Sequence, residues 1–115
     1  MGEVLVKRLI SSGLISAGNM VVADQAAERL AYLAKTYGIH TTMSNALALA
    51  KAELVILAVK PQHAKEALQG LASAVDGQLF LSIMAGVPIS ALTALLGTRK
   101  VVRSMPNMPA QIGEG

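Results

Sequence analysis

Residues 54–59 read L-V-I-L-A-V, an unbroken apolar run set between Glu53 and Lys60. A strand with one wet face would alternate polar and apolar residues, and an amphipathic helix would show a period near 3.6. A short run that is apolar throughout suits a parallel strand covered on both faces. Parallel neighbours cannot be joined by a tight hairpin, so each needs a crossover, usually a helix. One such strand therefore asks the rest of the chain to alternate strands with helices.

The remaining segments read in that way. Val4, Leu5, Leu9 and Ile10 recur at helical spacing, and Gly13 can end that helix. Residues 20–23 form a short apolar run suited to a strand. Ala27, Leu30, Ala31, Ala34 and Tyr37 mark one helix face, with Gly38 at the left-handed position past its end. Residues 39–42 suit a second strand, and Ser44 can cap a helix running to about Ala52. Pro61 stops the central run and fits the first turn of a helix reaching about Ala74. After the Asp76-Gly77 turn, residues 79–84 read as a strand. Gly86 and Pro88 lead into a short helix ending at Gly97, and residues 100–105 form a last strand. Pro106 and Pro109 then enforce an extended loop around Asn107 and Met108. The pattern predicts an α/β fold of right-handed βαβ units around a parallel sheet, in one domain.

Composition narrows the function. With 53% hydrophobic and 15% charged residues the chain is not of the disordered class. Aromatics are 3%, so the core is aliphatic. The absence of cysteine excludes disulfides and thiolate metal sites. No apolar run approaches the ~18 residues of a membrane span, and Glu3, Lys7 and Arg8 interrupt any signal-peptide layout. A soluble cytoplasmic protein is expected. The net charge of +3 comes from scattered basic residues with no aromatic platform beside them, which argues against a nucleic-acid partner. His40 and His63 have no companions at ligand spacing, so no metal site is expected. Neither a phosphate-binding P-loop nor a nucleophile–base pair is present.

Open parallel sheets bind ligands beyond the carboxyl ends of their strands. Asp24 follows the first such strand. It can accept a hydrogen bond from a ribose 2′-hydroxyl and would repel a 2′-phosphate, or it can cap the next helix, and one carboxylate can do both. Lys60 and Pro61 follow the central run, with Pro61 fixing a turn that lets the Lys60 backbone face a ligand. Ala85 and Gly86 let a flat ring or ribose come close to the backbone. Asn107 places one polar side chain in a rigid loop.

Taken together, A-V-K-P-Q at 58–62, S-I-M-A-G-V at 82–87 and V-V-R-S-M-P-N-M-P at 101–109, followed by Gly113, Glu114 and Gly115, resemble the pyrroline-5-carboxylate reductase family in order and spacing. The resemblance spans essentially the whole chain. It implies a Rossmann-type domain, with NADP or NAD as cofactor and a small-molecule imine, 1-pyrroline-5-carboxylate, reduced to proline. It implies that Asp24 and Asn45 lie by the adenosine half of the cofactor and that Ala58, Val59, Lys60 and Pro61 line the nicotinamide ribose. Ile83, Met84 and Ala85 would pack near the nicotinamide, with Asn107 and Pro109 closing the hydride-transfer end. No residue takes the part of a catalytic acid or base. Complete enzymes of this kind are expected to be homo-oligomers through a helical second domain.

Against that family, residues 1–115 are expected to be a partial NAD(P)-binding domain. The first strand, the glycine-rich phosphate loop and the helical dimerisation and substrate domain are expected to be missing, and the isolated chain is expected to be inactive. Related readings are a deazaflavin-linked NADP reductase, a β-hydroxyacid dehydrogenase-like enzyme, or a non-catalytic α/β interaction module. Without the first strand, residues 79–84 and 100–105 are expected to pair beside 54–59, with 20–23 and 39–42 displaced or loosely held. Without the loop, the pyrophosphate lacks its backbone donors. NADH or NADPH should then bind the purified chain with a Kd above roughly 100 μM, about −5.5 kcal/mol; calorimetry showing low-micromolar binding would contradict this.

Overall fold

A computed structural model describes residues 2–104, so the expectations for Asn107, Pro109 and the rest of 105–115 lie outside the described residues. The chain divides into two compact units on either side of Ala48 and Leu49. No helix among the described residues is long and apolar enough to cross a membrane.

The first unit begins with α1 (Gly2–Ser11), which buries Val6. Gly13, at φ 78°, turns the chain after it. Then come β1 (Val21–Ala23), α2 (Ala27–Tyr37) and β2 (His40–Thr42). Helix α2 ends where expected: Gly38 takes φ 71°, a conformation costly for residues with a Cβ, and its N–H donates to the Ala34 carbonyl at 2.9 Å. Strands β1 and β2 are parallel, with Val21 opposite His40 and Ala23 opposite Thr42. Val6, Leu33 and Ile39 form the core, with Ile10, Met20, Val22 and Tyr37 packed around them. The chain leaves this unit within α3 (Asn45–Ala50). As expected, Ser44 caps α3, its Oγ accepting the Leu47 N–H at 3.1 Å.

The second unit is a parallel sheet of β3 (Leu54–Leu57), β4 (Leu79–Ser82) and β5 (Val101–Arg103), in that order. The crossovers carry α4 (Ala64–Leu68) and α5 (Ile89–Leu96). Phe80, Leu92 and Leu96 are completely buried, alongside Leu57, Leu68, Met84 and Val101. Removing each large apolar side chain from water contributes about 1.5–3 kcal/mol. Two buried polar side chains are satisfied. Gln78 donates from Nε2 to the Leu49 carbonyl at 3.0 Å and accepts the Asp76 N–H, while Ser82 Oγ accepts the Met84 N–H at 3.2 Å.

Two expectations need correction. The helix from Pro61 to about Ala74 is three pieces: a 3-10 turn at Pro61–His63, α4, and a second 3-10 turn at Leu71–Ala74. Gln69 is extended and Gly70 sits at φ 83°, outside any right-handed helix. The reversal lets Ala64 and Leu68 on one side and Leu71 and Ala74 on the other reach the same core.

The central strand is also shorter than its apolar run, ending at Leu57. Nor is it covered on both faces. Val55, Leu57, Phe80 and Val101 pack into the core, while Leu54, Leu79 and Val102 on the other face are 46%, 43% and 50% exposed. The run is apolar on both faces, but the helices of this unit pack on one.

The pairing follows the expectation. Among the described residues the strands form two parallel sheets, β1-β2 and β3-β4-β5. Their grouping matches the expected pairing of 79–84 and 100–105 beside 54–59. Strand β4 is held by ladders on both sides and buries Phe80 and Ser82, whereas β1 has a single ladder partner among the described residues. Amide hydrogen exchange should find β4 better protected than β1. Equal, strong protection in a monomer would show that β1 has a second ladder.

Candidate functional site

Parallel register makes the strands of each unit end at one level. In the first unit Ala23 lies opposite Thr42, and the ladder extends one step further as the Asp24 N–H donates to the Thr42 carbonyl at 3.2 Å. The two loops beyond are tied together: Gln25 donates from Nε2 to the Met43 carbonyl at 3.0 Å. Thr42 Oγ1 accepts the Ser44 N–H at 3.0 Å, which sets the turn into α3, whose first residue is Asn45. Asp24 therefore opens the loop at the carboxyl end of β1, and Asn45 begins the helix that follows the loop at the carboxyl end of β2.

Asp24 is exposed, and its Oδ1 accepts the Ala26 N–H at 3.1 Å. This is a local turn two residues long that leads the chain into α2. The capping reading of Asp24 does not hold: Ala26 is the N-cap of α2 and receives no side-chain capping bond, because Asp24 sits two residues before it and turns the chain there instead. One carboxylate oxygen does this work, which leaves the other to a ligand.

In the second unit Leu57, Ser82 and Arg103 stand in register across the sheet. The Ile83 N–H donates to the Leu57 carbonyl at 3.2 Å and the Ser104 N–H to the Ser82 carbonyl at 2.8 Å, so the loops leave together. Ala58, Val59, Lys60 and Pro61 are all exposed. The Lys60 carbonyl accepts the His63 N–H at 2.8 Å, and Pro61 opens the 3-10 turn. Ala85 and Gly86 are exposed, and Gly86 is at φ 73° with open space where a Cβ would stand. Ile83 is half-buried. The Met84 side chain turns into the core and is 2% exposed, so Ala85 and Gly86 form the accessible part of this loop.

The structure thus brings Asp24 and Asn45 to one group of strand ends, and Ala58, Val59, Lys60, Pro61, Ile83 and Ala85 to another. Among the described residues no group of histidines and carboxylates is arranged to hold a metal. Sequence reasoning passed over a polar cluster in the first unit. Glu3, in the first turn of α1, accepts hydrogen bonds from Tyr32 (2.9 Å), Tyr37 (2.7 Å) and the Arg29 guanidinium (2.5 Å), all on α2. Arg29 also lies 5.2 Å over the Tyr32 ring. The partners are 26 to 34 residues from Glu3 in the chain, so no local spacing announces them.

The Tyr37 and Tyr32 hydroxyls and the Arg29 guanidinium favour the ionised acid and hold Glu3 below the usual carboxylate range. The same bond to Glu3 pushes the Tyr37 hydroxyl up to about 12. A depressed acid stabilises the fold above its unfolded pKa and loses that contribution as pH falls through the folded value. A raised phenol contributes below its unfolded pKa, near 10, and loses that contribution as pH rises through about 12. The packing of α1 on α2 should therefore be fully supported between the unfolded glutamate value, 4.5, and the unfolded tyrosine value, 10.0, and weaken on either side. Carbon-13 chemical shifts should place Tyr37 well above an ordinary tyrosine; titration near 10 would show that the Glu3 bond does not form in solution.

Comparison with known proteins follows this geometry. The family described as NADP oxidoreductase, coenzyme F420-dependent, matches residues 1–86. A pyrroline-5-carboxylate reductase of Pseudomonas aeruginosa is 42% identical over 117 residues, covering 100% of this chain and 42% of the relative. A pyrroline-5-carboxylate reductase structure from Coxiella burnetii superposes with a TM-score of 0.88 at 28% identity, covering 96% of this chain and 42% of that one. The Plasmodium falciparum pyrroline carboxylate reductase, solved with NADP bound, gives a TM-score of 0.82 at 24% identity over 98% of this chain and 41% of that one, a likeness of fold. The chain spans about two fifths of the length of these relatives.

Proposed function

The chain belongs to the NADP oxidoreductase, coenzyme F420-dependent family, and on that footing we propose that it is the nicotinamide-dinucleotide-binding part of a pyrroline-5-carboxylate reductase. The observation that carries this reading is the 42% identity over the whole chain to an enzyme of that name. On this reading residues 1–115 form part of an NAD(P)-binding domain, and the complete enzyme reduces the C=N bond of a cyclic imine carboxylate in the cytoplasm. It works as a homo-oligomer and takes no nucleic-acid partner.

The described residues fit such a cofactor. Asp24 offers a carboxylate oxygen to a ribose hydroxyl, and Asn45 begins α3 just after the neighbouring loop of the same unit. In the second unit, Ala58, Val59, Lys60 and Pro61 present exposed backbone and side chains to the nicotinamide ribose. Ile83 and the Ala85–Gly86 backbone offer a surface without bulky side chains to a flat ring, with Met84 supporting that loop from the core. Asn107 and Pro109 are assigned to the hydride-transfer end by the motif they belong to. When bound, the nicotinamide supplies the hydride. The protein's share is to orient the reactants and exclude water.

The family description also names coenzyme F420, which favours a deazaflavin-linked reductase as the second reading. The reductase of proline synthesis is preferred because the full-length relatives carry that name.

Nucleotide titration followed by amide chemical shifts tests the assignment at millimolar ligand. NADH should move resonances at 24–26, 43–45, 58–61 and 85–86. It should bind better than NADPH, and Asp24→Ser should erase that preference, a change of a few-fold to tenfold. A preference for NADPH with Asp24 intact would remove Asp24 from the ribose site.

A further inference from the structure

The Glu3 cluster bears on cofactor choice, on the reading that the first unit receives the adenosine half of a dinucleotide. We infer that Glu3 is a specificity-determining residue: by holding Arg29 it withholds a cation from the loop after β1 and leaves Asp24 to select a ribose with a free 2′-hydroxyl.

Arg29 lies in the first turn of α2, five residues after Asp24. An arginine near the end of the second strand of a dinucleotide fold is what accommodates a 2′-phosphate. A forked guanidinium is well matched to that dianion. Here the guanidinium is engaged twice, by the Glu3 carboxylate and by the Tyr32 ring. Its side chain is still 46% exposed, so it is restrained by its partners and not by burial.

Nothing else near the turn replaces it. Residues 24–28 read Asp, Gln, Ala, Ala, Glu, two acids and no base. Lys35 lies in the last turn of α2, Lys7 and Arg8 lie further along α1, and His40 begins β2 at the amino end of that strand. The charge presented to a nucleotide in the loop after β1 is therefore negative while Glu3 holds Arg29. Glu3 itself is kept in place by two tyrosine hydroxyls as well as by Arg29. Glu3→Gln keeps an acceptor for both hydroxyls, removes the charge that retains Arg29, and lets the guanidinium turn toward the loop.

The test uses the full chain with adenosine 5′-monophosphate and adenosine 2′,5′-bisphosphate as probes, which differ by the 2′-phosphate alone. Binding is read from amide shifts at 24–26 and 43–45. In the native chain the bisphosphate should bind no better than the monophosphate. Glu3→Gln should shift the ratio of the two dissociation constants toward the bisphosphate by about tenfold, the scale of a charge-assisted contact. Adding Arg29→Met to Glu3→Gln should abolish the gain. Glu3→Asp, which draws the carboxylate back from Arg29 and keeps an acid in the first turn of α1, should move the ratio in the same direction by less and serves if Glu3→Gln does not fold.

An unchanged ratio in folded variants that still bind both probes would overturn the role of Glu3 and leave the adenosine site standing, as would a gain that survives Arg29→Met. Failure of the monophosphate to bind the native chain at millimolar concentration would overturn both readings.

Discussion

The ladder running from Leu57 through Ser82 to Arg103 sets the level at which every loop of the second unit leaves the sheet. Parallel pairing imposes this, because strands that run the same way in register end on the same side. Phe80 anchors the ladder from below. It is fully buried, pairs with Val55 and Val101, and lies in the core with Leu92 and Leu96 of α5. Shifting β4 by one residue would carry Phe80 to the exposed face and Leu79 inward. The surface formed by residues 58–61 and 83–86 thus depends on one aromatic ring holding its register. Ser82 completes the arrangement by binding the Met84 N–H, which directs Met84 into the core and Ala85 and Gly86 outward.

The first unit relies more on polar contacts. Its core is small, with Val6, Leu33 and Ile39 fully buried. Glu3 adds to it a bond to each of three side chains of α2. A carboxylate in the first turn of a helix also meets the positive end of the helix dipole. The same contact that joins two helices therefore decides which charges surround the loop at Asp24, so packing and ligand preference share one group.

Features governed by nearest neighbours were legible in advance. Gly38 and Gly97 end their helices at positive φ because a residue without a Cβ adopts that geometry cheaply, and Ser44 caps α3 through a hydroxyl three residues from its donor. The end of β1 was legible because its apolar run stops where Asp24 begins, whereas β3 and β4 stop at Leu57 and Ser82, short of Lys60 and Ala85. Gly70 was equally visible, yet its effect was missed. A single glycine inside a helical pattern is often tolerated, and it breaks this helix because the core needs apolar side chains from both sides of the reversal.

The sequence by itself determined the alternation of strands and helices, the ends of α2 and α5, and the positions of the loops that carry the candidate site, because these follow from periodicity and from the torsional preferences of single residues. The tertiary structure alone decided that the chain reverses at Gly70, that Leu54, Leu79 and Val102 stay exposed while their neighbours are buried, that Met84 turns away from the loop, and that Arg29 is held by Glu3. These depend on which surfaces meet after the chain has closed loops of 25 residues or so. That choice is made by the summed burial and pairing of many groups, which no local spacing encodes.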